Sequence, residues 1–318
     1  EPMVLEQIRL CAPGGLLSYR DYISQFSNAD YKSPREPVKI QAEDIFEKSD
    51  QSLYPSYDRQ SAATEPYAAG KIRLNILSGE KFRRPNQWVS YKIRVETAGL
   101  YRLSFKVKQP YKDGGFSVRQ IIVNGSVPFK EAESCMFTYS NRWQSVVPAG
   151  SGGEFYFYFK AGENELTLRS SVGPMSDVLN RTQQLLDELN LVYRRIFMIT
   201  GSTPDPFRDY NFKKAVPDEI AILRNSAGKL GDLKDGIIAV TGETGSYLSS
   251  FDRLLLDVEQ MAKDPESISK RMKNYKTNLG ALADWVTAAQ LQPLDMDYIE
   301  LLPKGAAPQK ASAGFFRD

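Results

Sequence analysis

The side chains able to do chemistry in this chain are carboxylates, lysines, arginines, tyrosines and two cysteines, because there is no histidine. Without imidazole there is no Ser-His or Cys-His nucleophile and no His-ligated zinc or haem. Carboxylate pairs, lysine, tyrosine or a hard, oxygen-ligated metal remain. Two carboxylate pairs could be written as general acid and base, Asp187 with Glu188 and Asp295 with Asp297. A helix surface and a strand end account for them without catalysis, so no catalytic residue is assigned and the chain reads as non-enzymatic. Cys11 and Cys135 fit no metal spacing and read as idle thiols, with a disulfide open to them in an oxidising compartment. The loop Gly150-Ser151-Gly152-Gly153 lacks the Lys-Ser/Thr of a phosphate cradle.

Composition narrows the partners. The 41 basic and 39 acidic side chains among 318 residues are interleaved and leave a formal charge of +2, so no field gathers nucleic acid. No apolar run approaches the roughly 20 residues that span a bilayer, which argues against direct membrane insertion. The length suits about two domains. The chain does not open on Met and reads as a fragment of something longer.

The elements that must position these groups come in two textures. Over residues 38–172 the apolar period is two: Val89, Tyr91, Ile93 and Val95 share one strand face, and Tyr101, Leu103, Phe105 and Val107 alternate with Arg102, Ser104, Lys106 and Lys108. Further strands are predicted over 118–123, 155–159 and 165–170, with Phe155-Tyr156-Phe157-Tyr158-Phe159 buried on both faces where helices dock. After Pro174 the period becomes helical. Four stripes follow: Val178 to Ile199, Ile220 to Val240 after Pro217, Leu248 to Met261 after a Ser246 cap, and Ile268 to Val286 after Asp264-Pro265. The reading is a jelly-roll β-sandwich with an inserted antiparallel four-helix bundle.

A repeat supports the insertion. The segment Pro2 to Leu10 matches Pro293 to Leu301 in its proline, apolar positions, central acid and Ile-x-Leu ending. The expected organisation is therefore a closing strand of a preceding similar module at 1–10 and a linker at 11–36. The sandwich takes 37–174 plus 292–302, the bundle 175–291, and a linker to a following domain 303–318.

Val38-Lys39-Ile40-Gln41-Ala42-Glu43-Asp44, Gln87-Trp88-Val89-Ser90-Tyr91 with Ala98 to Leu103, Gly162 to Leu168 and Asp297-Tyr298-Ile299 resemble the calcium-containing jelly-roll carbohydrate-binding modules. The whole chain resembles the non-transport region of large extracellular solute-binding lipoproteins of sugar ABC transporters from Gram-positive bacteria. Residues 190–201, Pro204 to Tyr210 and Gln292 to Tyr298 carry that match. The resemblance implies a non-catalytic module, extracellular and surface-anchored through its parent lipoprotein, that binds carbohydrate or positions the solute-binding domain of the same polypeptide and, indirectly, an ABC permease. Two alternatives stay open: a structural spacer or protein-docking module, and an accessory module of a glycan-degrading enzyme. The resemblance maps a structural calcium onto Glu43 and Asp297, with Asp295 on the same strand face to assist; calcium takes six to eight oxygens and no imidazole. The competing expectation is pairing of these acids with Arg or Lys on neighbouring strands.

Sugar binding needs an exposed aromatic for the apolar ring face and planar polar groups for hydroxyl pairs. Tyr54, Tyr57, Asp58 and Arg59, with Tyr67 nearby, offer these, as do Arg142 and Trp143. The same aromatics could instead plug the ends of the sandwich or pack on the bundle. Trp88 and Trp285 fall in regular elements and are expected in the core.

Overall fold

The computed structural model describes residues 15–26, 36–67, 71–242, 245 and 248–311. The expected strand at 1–10, Cys11 and the Ser246 cap lie outside the described residues.

The described residues form twelve strands: β1 (Val38–Gln41), β2 (Glu47–Lys48), β3 (Trp88–Val95), β4 (Gly99–Gln109), β5 (Phe116–Val123), β6 (Cys135–Thr138), β7 (Ser140–Val146), β8 (Ala149–Gly150), β9 (Gly153–Glu154), β10 (Tyr156–Phe159), β11 (Gly162–Ser171) and β12 (Asp295–Leu302). One sheet runs β1-β12-β4-β10 with β7 also on β4, the other runs β2-β3-β11-β5-β6, and β8 pairs with β9. Every pairing is antiparallel. Val89, Tyr91, Ile93, Leu103, Phe105, Leu166, Leu168, Ile299 and Leu301 meet between the sheets, as their alternation demands. The chain leaves the second sheet at the end of β11, builds the helices, and returns as β12 in the middle of the first sheet.

Alternation alone would put Arg102, Ser104 and Lys106 of β4 in solvent, yet all three are buried. The long excursion between β2 and β3, described over 49–67 and 71–87, folds back over the Lys106 and Lys108 end of this strand, while Arg102 is covered by Glu154, Pro303 and Ala306. A backbone bridge between Ser56 and Ile76 closes the excursion on itself, and one between Leu77 and Met296 ties it to β12. The expected linkers are likewise not free where they are described. The short helix α1 (Tyr19–Ser24) places Tyr22 in the sandwich core. Its Tyr19 and Tyr22 hydroxyls accept from the Tyr156 and Tyr158 N–H groups, at 3.0 and 2.9 Å, and so close the edge of β10. The aromatic run 155–159 is therefore covered by α1 and by Phe26, which stacks on Tyr158, rather than by the bundle. At the other end Gln309 donates its N–H to Glu300 and accepts at its carbonyl from Ser145.

The helical part comprises α2 (Ser176–Thr200), a single turn α3 (Phe212–Ala215), α4 (Pro217–Thr241), α5 (Ser249–Lys263) and α6 (Ile268–Gln290). Helices α2, α4, α5 and α6 pack in a ring, α2 on α4, α4 on α5, α5 on α6 and α6 on α2. Leu189, Ile196, Leu223, Leu230, Leu254, Val258, Met272 and Leu282 fill it. Pro265 opens a 3-10 turn ahead of α6 rather than the helix itself, and the Asp264 side chain makes no cap bond. The bundle sits on the sandwich through Phe116, Val118 and Met175, which belong to its core. Gly173 makes the strand-to-helix turn at φ +53, where a Cβ would come within 3.0 Å of Val118. In α4, Gly228 and Gly231 have open space where a Cβ would stand. Gly228→Ala and Gly231→Ala are each expected to stabilise the bundle by about 0.5–1 kcal/mol, read as a higher Tm. A lower Tm would contradict the helix assignment there.

Candidate functional site

The site is built on β12 where it crosses β4. The register between them shifts between Met296 and Tyr298, so that Asp295 faces Lys108 and Tyr298 faces Lys106, leaving Asp297 as an inserted residue. Asp297 uses this freedom to meet Lys106: Oδ2 and Nζ stand 2.9 Å apart, with side chains 0% and 1% exposed. The ammonium also donates to the Ala63 carbonyl and lies 4.9 Å from the centre of the Tyr298 ring. The Glu65 N–H donates to Asp297 Oδ1 at 3.2 Å. Asp295 Oδ1 accepts from the Gly79 N–H at 2.8 Å and the Tyr111 hydroxyl at 2.9 Å. Lys108 Nζ lies 3.4 Å from Asp58 and 3.8 Å from Asp295. Gly79 approaches so closely that a Cβ would lie 2.6 Å from the Leu294 nitrogen. The two carboxylates thus fasten the covering segment 49–87 to the sheet at residues 58–65 and again at 79.

The fastened segment leaves three tyrosines exposed. Tyr54, Tyr57 and Tyr67 are 47%, 46% and 48% exposed. Lys81 Nζ lies 4.6 Å from the Tyr54 ring centre and the Arg59 guanidinium 5.1 Å from that of Tyr57. The other residues expected to bind sugar divide. Arg142 is exposed on β7. Trp143 is buried, 8% exposed, with its ring over Lys108, and cannot serve as an open platform. Asp58 is buried too, its carboxylate taken by Lys108 and the Gln60 N–H. Their residue types suit a sugar, but the β4 lysines draw both inward. Trp88 and Trp285 are half-buried rather than fully in the core. Lys106 and Lys108 are the site residues that sequence reasoning missed. Their signal was present as basic residues in an otherwise apolar strand, but alternation assigned them to solvent.

These positions bear on the expected calcium. Burial pushes Asp297 up to about 6 against the pull of Lys106, and pushes Glu43 up to about 7, with Asp44 and Asp297 adding repulsion. Glu43 keeps a buried oxygen, Oε2, with no hydrogen-bond partner, as does Gln41 at Oε1, and such oxygens suit a cation. Against it, the Asp297 carboxylate already holds a buried ammonium, which would repel a divalent ion, and Asp295 is committed to Gly79 and Tyr111. Among the described residues no cluster of three or more His, Cys, Asp or Glu is placed to hold a metal. Glu43, Asp295 and Asp297 do not fit a calcium site as a set. A proton answers the need of Glu43 instead.

The consequence for stability has a definite sign. The folded chain keeps a proton on Glu43 up to about pH 7 that the unfolded chain gives up near its ordinary 4.5, so stability falls as pH rises through that window. Asp297 acts in the same direction between 3.8 and about 6. Glu43→Gln is expected to flatten the fall in Tm between about pH 5 and about pH 8. A Tm profile parallel to the wild type would refute the assignment.

Elsewhere, burial pushes the Cys135 thiol up to about 12, which leaves it inert. Glu188 pairs with Lys229 across helices at 2.6 Å, and Asp187 accepts from Gln183 on its own helix.

Residues 177–284 match the family model of the bacterial solute-binding protein 4-helix bundle domain. No curated protein sequence matches the chain. Among solved structures, a cycloisomaltooligosaccharide glucanotransferase of Paenibacillus sp. is 17% identical over 45% of this chain, with a TM-score of 0.31, and the match spans only 17% of that longer protein. A family 35 carbohydrate binding module from Clostridium thermocellum is 17% identical over 43% of this chain and 87% of its own, with a TM-score of 0.30. The Podospora anserina GH26-CBM35 beta-(1,4)-mannanase is 18% identical over 60% of this chain and 48% of its own, with a TM-score of 0.28.

Proposed function

We propose that the chain is a non-catalytic module of a cell-surface sugar-uptake protein, which holds glycan on the tyrosine surface of segment 49–87 beside the solute-binding domain of the same polypeptide. The observation that carries this reading is the set of three half-exposed tyrosines on a segment fastened by one fully buried and one partly buried ion pair. A rigid aromatic surface binds ring faces at low entropic cost. The match of the inserted helices to solute-binding proteins supports the transport context, the extracellular location and the indirect link to an ABC permease. Anchoring through a lipoprotein parent belongs to the same proposal. No helix among the described residues is long and apolar enough to cross a membrane.

A second reading, a protein-docking spacer, is favoured by one observation. Met198 and Phe207, at and beyond the end of α2, are 77% and 95% exposed, beside a half-buried to exposed Phe197 and Ile199. A glycan array, probed once in calcium and once in chelator, separates the two. Binding to at least one polysaccharide in both conditions is expected, and silence in both would select the spacer.

A further inference from the structure

A cleft of about 460 Å³ opens where the sandwich meets the bundle, within the size range of small-molecule sites. Its floor is apolar and comes from both parts, with Phe116 from β5 and Met175, Ile237 and Leu291 from the helical side. Trp285 of α6 lines it with a half-buried indole held edge-to-face on Phe251, ring centres 5.0 Å apart. Tyr111 stands opposite on the sandwich side, oriented by its hydrogen bond to Asp295. The mouth carries Glu80, Arg83 and Asp113, all exposed. Lys112 also lines the cleft, but its ammonium is committed to the Ala289 and Leu291 carbonyls at 3.1 and 2.9 Å. With two carboxylates and two cations around it, the mouth has no net charge. An apolar floor, a fixed indole and a ring of planar donors and acceptors suit a neutral ligand that is apolar on one face and hydroxylated at its edge.

We infer that this cleft is a second carbohydrate site, for a short neutral oligosaccharide of one to a few pyranose rings held against the apolar wall to which Trp285 contributes, distinct from the tyrosine surface. It deepens the glycan reading above and rests on it. Because the walls come from both parts, the bound sugar bridges bundle and sandwich.

The test is a titration of the whole chain with neutral gluco- and mannotrioses, read by tryptophan fluorescence and by calorimetry. Saturable binding is expected. Trp285→Ala is expected to weaken it about tenfold or more, and Leu256→Ser, exposed on α5 outside the cleft, to leave it unchanged; the Tyr54/Tyr57/Tyr67→Ala triple variant is titrated beside them to separate the tyrosine surface. Should Trp285→Ala fold poorly, Ala288→Phe fills the mouth from an exposed position and is expected to block binding without altering the core. Trisaccharide binding lost in the tyrosine variant and kept in Trp285→Ala and Ala288→Phe overturns the cleft assignment. Silence toward all trisaccharides alongside array binding of polysaccharide removes the cleft site and leaves the glycan reading standing. Silence in both removes both.

Discussion

Lys106→Met is expected to destabilise the sandwich by about 3–5 kcal/mol, the usual cost of leaving one member of a buried ion pair uncompensated. Asp297 is fully buried, and Lys106 supplies the cation at 2.9 Å, so without it the carboxylate must take a proton or draw in water. The same change frees the Ala63 carbonyl, one of the fastening points of segment 49–87. Urea unfolding should show a lower midpoint, and limited proteolysis should cut first within 49–87. The double variant Lys106→Met/Asp297→Leu removes both charges and is expected to recover most of the loss. A single variant within about 0.5 kcal/mol of wild type would mean that the pair does not hold the segment.

The second large effect is on binding. Replacing Tyr54, Tyr57 and Tyr67 together by Ala is expected to weaken polysaccharide binding between about tenfold and a thousandfold, since each ring contact contributes roughly 0.5–1.5 kcal/mol. The tyrosines are about half exposed, so Tm should move little. Unchanged affinity would remove the tyrosine surface from the site. A large fall in Tm would show that the rings plug the sandwich, as the competing reading of the sequence has it.

The fold was legible because burial in sandwiches and bundles is periodic. Val89 to Val95 and Leu185 to Ile196 state period two and period three-four without ambiguity, and the return of the chain at Pro293 followed from the echo of its opening residues. What alternation could not show was that the outward face of β4 is covered. Lys106 looks like a surface residue until residues 58–65 are laid on it, and Arg102 until Glu154, Pro303 and Ala306 close over it, and none of these stretches has a period of its own. The candidate site inherits this limit. Tyr54, Tyr57, Arg59 and Tyr67 stay at the surface, whereas Asp58 and Trp143 are drawn inward by Lys108, a contact between residues far apart in sequence. The acids that the resemblance mapped onto calcium are buried in the structure, Asp295 at 5% and Asp297 at 0% exposure. Lys106 and Lys108 of the neighbouring strand stand beside Asp297 and Asp295, as the competing expectation of cross-strand pairing has it, although the pattern alone did not say which lysines. The residues ahead of β1 misled for a related reason. A segment rich in Gly, Ser, Tyr and Pro reads as linker, but Tyr19 and Tyr22 carry hydroxyls that cap an exposed strand edge.

In the proposed function a metal-independent, lysine-fastened segment presents a glycan-binding surface. Its most direct test is calorimetric titration of the whole chain with the polysaccharide that the array selects, once in excess calcium and once in chelator. The predicted result is saturable binding with the same affinity in both. Binding that appears only in calcium, or no heat from any polysaccharide in either, would contradict it.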